Sequence, residues 1–257
     1  MTTGTSMTAE RPANAVARAL TLLYGVGTYL FFFCTFLYLI GFVGNWVVPK
    51  GIDGGAPAAS ASAAVAVNIL LLALFAVQHT IMARPAFKEI WTRWVPWHVE
   101  RSTYVLLATA ILAVMAWQWR PLPEPVWRVE NPRAAGVLTV VSLAGWGSVL
   151  VSTFLIDHFE LFGLKQTVSY AMGRPHEPPT FKERLFYHWV RHPLMLGFLI
   201  AFWATPTMSL GHLLFAVVTT AYILIAIQIE ERTLVQLHGD HYRDYKRRVP
   251  MLIPFSR

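Results

Sequence analysis

Val190-Arg191-His192-Pro193-Leu194-Met195-Leu196-Gly197-Phe198 opens an apolar run on a charged step. From Leu194 the run lasts about 13 residues, roughly 20 Å as a helix. A bilayer's hydrocarbon core is about 30 Å thick. Thr205-Pro206-Thr207 interrupts the run, and residues 208–229 resume it. The stretch 194–229 therefore reads as a helical hairpin with a shallow first arm. Both arms open on one side, and Arg191-His192-Pro193 stands at the entrance. Pro193 suits a first helical turn, where its missing N–H costs nothing.

The rest of the chain supports a membrane setting. Of its 257 residues, 55% are hydrophobic and 14% charged, with a mean hydropathy of +0.47; a soluble globule carries about 25% charged residues. Further apolar stretches cover roughly 20–45, 62–83, 102–119, 134–155 and 208–229, each about long enough to span a bilayer. The fold class expected is all-α, a polytopic membrane bundle of five to six transmembrane helices, forming one domain over residues 1–257. The first run is too long for a signal-peptide core and no cleavage site follows it, so it reads as a retained helix. A lone cysteine, Cys34, rules out an intrachain disulfide.

Charge fixes the expected orientation. With the N-terminus inside, all but four of the 21 basic residues fall on the cytoplasmic side, from Arg11 and Arg18 through Lys182 and Arg184 to Arg257. The exceptions are Lys50, Arg120, Arg128 and Arg133. This bias places both termini in the cytoplasm. It also accounts for the net charge of +7 through anionic lipid, without nucleic acid. Residues 46–61 read as a short external connection. Residues 120–133, with Pro121, Pro123, Pro125 and Pro132, read as an irregular, partly rigid external loop.

The second arm of the hairpin closes on Gln228-Ile229-Glu230-Glu231-Arg232. Carboxylates at a helix C-terminus oppose its dipole, and carboxylates at a membrane boundary need a counter-charge. Arg191, Arg232 or a cationic ligand can supply it. Arg191 and His192 can also snorkel to head groups, but both signs of charge at one depth fit a polar ligand better. Beyond them, Gly239 ends a helix, and a second short helix carries Tyr242 and Tyr245 on one face. That face is either an interfacial anchor or a ligand wall. The tail Met251–Phe255 is too short to span and should lie against the membrane face.

Arg191-His192-Pro193, Gly197, Glu230-Glu231 and Gly239-x-x-Tyr242-x-x-Tyr245 before Pro250 resemble the C-terminal signature of the isoprenylcysteine carboxyl methyltransferase and phospholipid methyltransferase superfamily. Where that family often has Tyr two residues after its His-Pro step, this chain has Met195. Upstream, Gln78-His79-Thr80-Ile81-Met82-Ala83-Arg84-Pro85, Glu100-Arg101-Ser102-Thr103-Tyr104, Trp117-Gln118-Trp119-Arg120-Pro121 and His158-Phe159-Glu160-Leu161-Phe162-Gly163 resemble its bacterial methanethiol S-methyltransferase branch. The resemblance implies S-adenosyl-L-methionine as cofactor and a small thiol as acceptor. It also implies a cofactor-binding hairpin and tail over 194–257, using Arg191, His192, Pro193, Gly197, Glu230, Glu231, Tyr242 and Tyr245.

Thiol methylation needs alignment, desolvation and a thiolate, so a nearby base is expected. His79, at the inner end of the second helix, is the first candidate. Asp157 and His158, at the inner end of the fourth, come second. Each also has a packing reading, and Glu100 with Arg101 reads as a structural salt bridge. His188 and His192 stand i, i+4 but lack a third ligand, so no metal is expected. No phosphate-cradling Gly-rich loop and no Rossmann fingerprint is present. Competing readings are an NADPH-dependent sterol-type reductase, a methyltransferase acting on a prenylcysteine carboxylate or a phospholipid, and a transporter. For the transporter, the expected internal repeat is missing.

Overall fold

The computed structural model describes residues 14–55, 60–176, 185–254 and 256. The expectations for Arg11, Lys182, Arg184, Phe255 and Arg257 lie outside these residues. Five helices are long and apolar enough to cross a membrane: α1 (Ala15–Gly44), α2 (Ala61–Met82), α4 (Trp97–Gln118), α5 (Pro132–Ile156) and α9 (Leu210–His238). Short helices α3 (Pro85–Trp91), α6 (His158–Leu161) and α7 (Leu164–Met172) fill the connections at the end of the bundle where α2 finishes and α4 starts, called the inner end below. After a 3-10 turn at Leu185–His188 come α8 (Pro193–Trp203), β2 (Thr207–Ser209), α9 and α10 (Asp240–Arg248). The protein is a polytopic helical membrane protein, as its hydropathy implies.

The hairpin of the opening stretch is α8 and α9. Helix α8 has 11 residues, about 16 Å. It is seated by backbone proximity to α5. A Cβ on Gly197 would stand 2.9 Å from the carbonyl oxygen of Gly145, and one on Gly145 would stand 2.7 Å from the amide of Ala201. Both positions must be glycine for these helices to touch. Around this contact, Trp146, Phe198 and Phe202 pack edge to face, and Phe202 continues onto Phe215 of α9.

The structure corrects three expectations. The segment 120–133 is not irregular throughout: its start, at Pro121 and Leu122, is buried in the bundle, and its exposed stretch carries β1 (Pro125–Arg128), antiparallel to β2. Asn68, about two turns inside α2, accepts from the Arg120 amide at 2.9 Å and donates to its carbonyl at 2.8 Å. The amides of Leu210 and Gly211 donate to the Glu124 and Leu122 carbonyls. Non-helical backbone inside a membrane protein must find partners within it, and this buried start meets the short arm partway. Second, Glu230 and Glu231 are not at a helix end, because α9 runs on to His238; their compensation comes from side chains, not from relief of a dipole. Third, Glu100 and Arg101 do not pair. Glu100 faces Lys88 at 3.8 Å, while Arg101 donates to the Leu161 carbonyl at 2.8 Å and lies over the Tyr104 ring.

Candidate active site at the mouth of the hairpin

The entrance and the second arm meet as their charges require. Glu231 is 3% exposed, and three donors surround its carboxylate. Arg191 Nε donates at 2.6 Å and His192 Nε2 lies 3.1 Å away, both on Oε1. Lys246 Nζ is 2.6 Å from Oε2. A carboxylate this buried is tolerated only when its lone pairs are answered.

Arg191 does more than neutralise. Its Nη1 donates to the Lys246 and Val249 carbonyls at the end of α10, and its backbone amide donates to the Pro250 carbonyl. The amide of His192 donates to the Met251 carbonyl. The tail is thereby strapped across the mouth, where Leu252 packs on Ile223, Ile227 and Met195. Met195 is thus an apolar contact in this chain. Glu230 differs from its neighbour: its side chain is 45% exposed and its Oε2 stands 3.7 Å from His192 Nδ1. On the other face of α9, at the i, i+3, i+4 spacing that excludes Glu230, a cleft of about 390 Å³ is lined by Gln228, Glu231, Arg232, Val235, Gln236 and, from α10, Lys246.

The other residues singled out in the sequence fall into two groups. Pro193 begins α8 directly after His192. Gly197 lies in the α5–α8 contact. Tyr242 and Tyr245 are each 1% exposed and pack with Val249, Leu234 and Val235. They are neither at the lipid interface nor open to the cleft. Tyr245 donates to the Tyr187 carbonyl at 2.6 Å. Burial, with Glu231 and Glu230 behind it, raises the Tyr242 phenol above its ordinary value, so it stays neutral.

The two histidine candidates have unlike surroundings. Both ring nitrogens of His79 lie near the Tyr104 hydroxyl, at 2.9 and 3.1 Å, and Phe75 tilts over the ring at 5.0 Å. Arg84, one turn further on, donates to Thr233 of α9 at 3.0 Å; Thr80 and Tyr222 join the same two helices. His79 thus sits beside the second arm. His158 is 3% exposed. Its Nε2 meets the Tyr29 hydroxyl at 2.8 Å and its Nδ1 meets Thr153 at 2.7 Å, and Phe154 stacks on the ring at 4.1 Å. Burial lowers the His158 pKa. Asp157 caps α6 through the Glu160 amide and pairs with Lys165 at 2.7 Å.

Sequence reasoning missed Lys246 and Tyr104. Lys246 stands four residues after Tyr242, the spacing that shares a helix face, and that was its available signal. Tyr104 stands in the quoted stretch Glu100–Tyr104, but nothing local ties it to His79, 25 residues away. Among the described residues no group of three or more His, Cys, Asp or Glu could hold a metal.

Comparison with known proteins adds relatives over nearly the full chain. Methanethiol S-methyltransferase 1 of Bradyrhizobium diazoefficiens is 53% identical over 248 residues, 96% of this chain and 87% of that protein. The methanethiol S-methyltransferase of Mycobacterium tuberculosis is 53% identical over 238 residues, 93% of this chain and 97% of that protein. Nurim of Rattus norvegicus is more distant, 30% identical over 245 residues, 89% of this chain and 91% of that protein. No family model matches the chain, and no solved structure matches it.

Proposed function

This chain belongs to the methanethiol S-methyltransferase family, and on that premise we propose that it methylates methanethiol to dimethyl sulfide with S-adenosyl-L-methionine as donor. The observation that carries the reading is buried Glu231 held by Arg191, His192 and Lys246, with half-exposed Glu230 beside it. That donor set fits the group. Glu230 offers a carboxylate to a positively charged ligand, and Lys246 and Arg232 at the cleft offer cations to a ligand carboxylate. When bound, the donor supplies an electrophilic methyl on a positively charged sulfur.

In this reading the chain's own residues divide the work. Glu230 faces the ligand's positive charge. Arg191, His192 and Glu231 fix the mouth; Tyr242 and Tyr245 back it; Pro193 and Gly197 set where α8 starts and how closely it lies on α5. In-line transfer then requires the thiol to be aligned and dry, which the aromatic surroundings of His79 favour. His79 takes the S–H proton of the thiol onto a ring nitrogen. Tyr104 orients the imidazole through its hydroxyl. His158, whose two nitrogens already have partners, and Asp157, which caps a helix, suit support better than proton transfer. The mouth faces the cytoplasm of the inner membrane, with both termini on that side, where the donor is made.

Headspace gas chromatography of purified protein with methanethiol and methyl-labelled donor tests the reading. Labelled dimethyl sulfide is expected, and none from protein that binds S-adenosylhomocysteine would overturn the acceptor. Calorimetry with S-adenosylhomocysteine and NADPH tests the donor: binding of NADPH alone would make this a reductase. Labelling of Met172→Cys, after Cys34 is replaced, tests orientation; labelling from outside the cell would reverse it.

A further inference from the structure

Methanethiol carries a single carbon on its sulfur, and a site that prefers it must refuse longer thiols. A pocket wall of fixed shape does so by contact, at about 10–200-fold per methylene. Two aromatic rings beside His79 are placed to make that contact. Phe75 stands one turn before His79 on the same face of α2, and its ring centroid lies 5.0 Å from that of the imidazole. Tyr222 of α9 meets the Phe75 ring edge-on at 6.1 Å. The Tyr222 hydroxyl lies 3.3 Å from Oγ1 of Thr80, the residue after His79. These contacts close a loop: His79 to Phe75, Phe75 to Tyr222, and Tyr222 back to Thr80. Tyr104 bounds the imidazole on its other side, with ring centroids 5.3 Å apart.

The loop has a definite place along the bundle. Helices α2 and α9 both run toward the inner end, so Phe75 lies on the outer side of His79. Glu230 lies about two turns further inward than Tyr222 along α9. On that inner side Arg84 donates to the Ile229 carbonyl and to Thr233. A thiol whose sulfur faces His79 and the inner mouth therefore keeps its carbon toward Phe75 and Tyr222. Leu70, Leu74 and Val77 on α2, and Leu224 and Ile225 on α9, are exposed, whereas Phe75 and Tyr222 are half-buried in the seam between the two helices. Close packing of membrane helices favours small side chains, so a pair of rings in this seam calls for another reason. Rigidity supplies it. A tyrosine has only two side-chain torsions, and this one is held at its hydroxyl, so its ring does not fold aside for a longer chain as a methionine would.

We propose that Phe75 and Tyr222 form the wall of the acceptor site and set its size limit at a one-carbon thiol. The inference rests on the reading above, with the thiol's sulfur at His79. Phe75 meets the carbon of the acceptor, and Tyr222, pinned by Thr80, holds the Phe75 ring from behind. Each methylene beyond the first has to displace a ring that has no free space to enter.

The test measures kcat/KM for methanethiol, ethanethiol and 1-propanethiol in detergent-purified full-length protein, reading each methyl sulfide product by headspace gas chromatography. In the parent, kcat/KM should fall about 10-fold or more with each added methylene. Phe75→Ala and Tyr222→Leu should each shrink the preference for methanethiol over 1-propanethiol by about 10-fold or more, with a lower KM for 1-propanethiol and a higher one for methanethiol. The ratio carries the test, because a packing defect lowers all three thiols alike and leaves the ratio where it was. An unchanged ratio in both variants would overturn the wall, as would a parent that takes 1-propanethiol as readily as methanethiol. If Phe75→Ala does not fold, Phe75→Leu removes the ring with less loss of volume and carries the same comparison. A parent that binds S-adenosylhomocysteine yet methylates none of the three thiols would remove the proposed reaction itself, a result separate from an active enzyme whose ratio does not move.

Discussion

The two ends of the bundle both hold buried polar side chains, but these answer different partners. At the outer end Asn68 serves the backbone of Arg120, and Lys50 caps the Trp117 and Trp119 carbonyls that end α4. Asn45 holds Asp53, which accepts from Ser209 at the start of α9. At the mouth, the charged groups answer one another: Glu231 takes Arg191, His192 and Lys246, and Glu230 keeps much of its side chain in water. The first arrangement satisfies backbone that leaves helical form inside the bundle. The second fixes charges around an opening. Polar burial that ends on backbone reads as architecture, and polar burial that ends on opposed charges beside a cleft reads as a site.

Substitutions can break that distinction. The largest effect is expected at His79→Ala: kcat on methanethiol at neutral pH should fall about 10²–10⁴-fold, with partial recovery at higher pH as more thiolate forms unaided. An unchanged rate and pH profile would return His79 to packing. Next, Glu231→Gln removes the charge that Arg191 and Lys246 face. Breaking a buried pair costs about 3–5 kcal/mol, so both the melting temperature and the affinity for S-adenosylhomocysteine should drop. If calorimetry shows full affinity, the mouth is architecture like the outer end. Asn68→Ala should cost about 1–3 kcal/mol of stability by stranding the Arg120 amide and carbonyl, while kcat in the folded fraction holds. A kcat loss there would blur the two ends.

The smallest expected effect is a pH slope. Burial holds the His158 pKa below its ordinary value of about 6.5. The unfolded chain therefore binds this proton more readily than the folded one. Its contribution to stability is complete above about pH 6.5 and is lost as pH falls toward the lowered folded value. Thermal melts of the parent should weaken across that window, and His158→Gln should show a shallower slope. An identical slope would mean that other groups set it.

Much of this was legible in the chain. Hydropathy runs gave five spans and a short arm, because a bilayer demands about 20 apolar residues per crossing and tolerates few charges within them. Arg191, His192 and Glu231 were legible as partners because a hairpin returns its ends to one depth. Lys246 was hidden on a helix whose angle to α9 no local pattern states. The buried turn at Pro121 and Leu122 and the strand that follows it were hidden by the prolines, which announce irregular backbone without saying where it finds partners.

What the sequence determined by itself is therefore the class of the molecule: a membrane bundle with a charged hairpin mouth, set by apolar run length, helix spacing and the cost of charge in lipid. What only the tertiary structure decided is which polar residues meet. Glu230 and Glu231 are adjacent in sequence, yet one is sealed by three donors and the other is half-exposed. His79 and His158 are both histidines near the inner end, yet one shares a single tyrosine hydroxyl and the other has a separate partner for each nitrogen. The reason is physical. Run length and periodicity are properties of the local chain, whereas burial and pairing depend on contacts between residues tens of positions apart, fixed only when the helices pack.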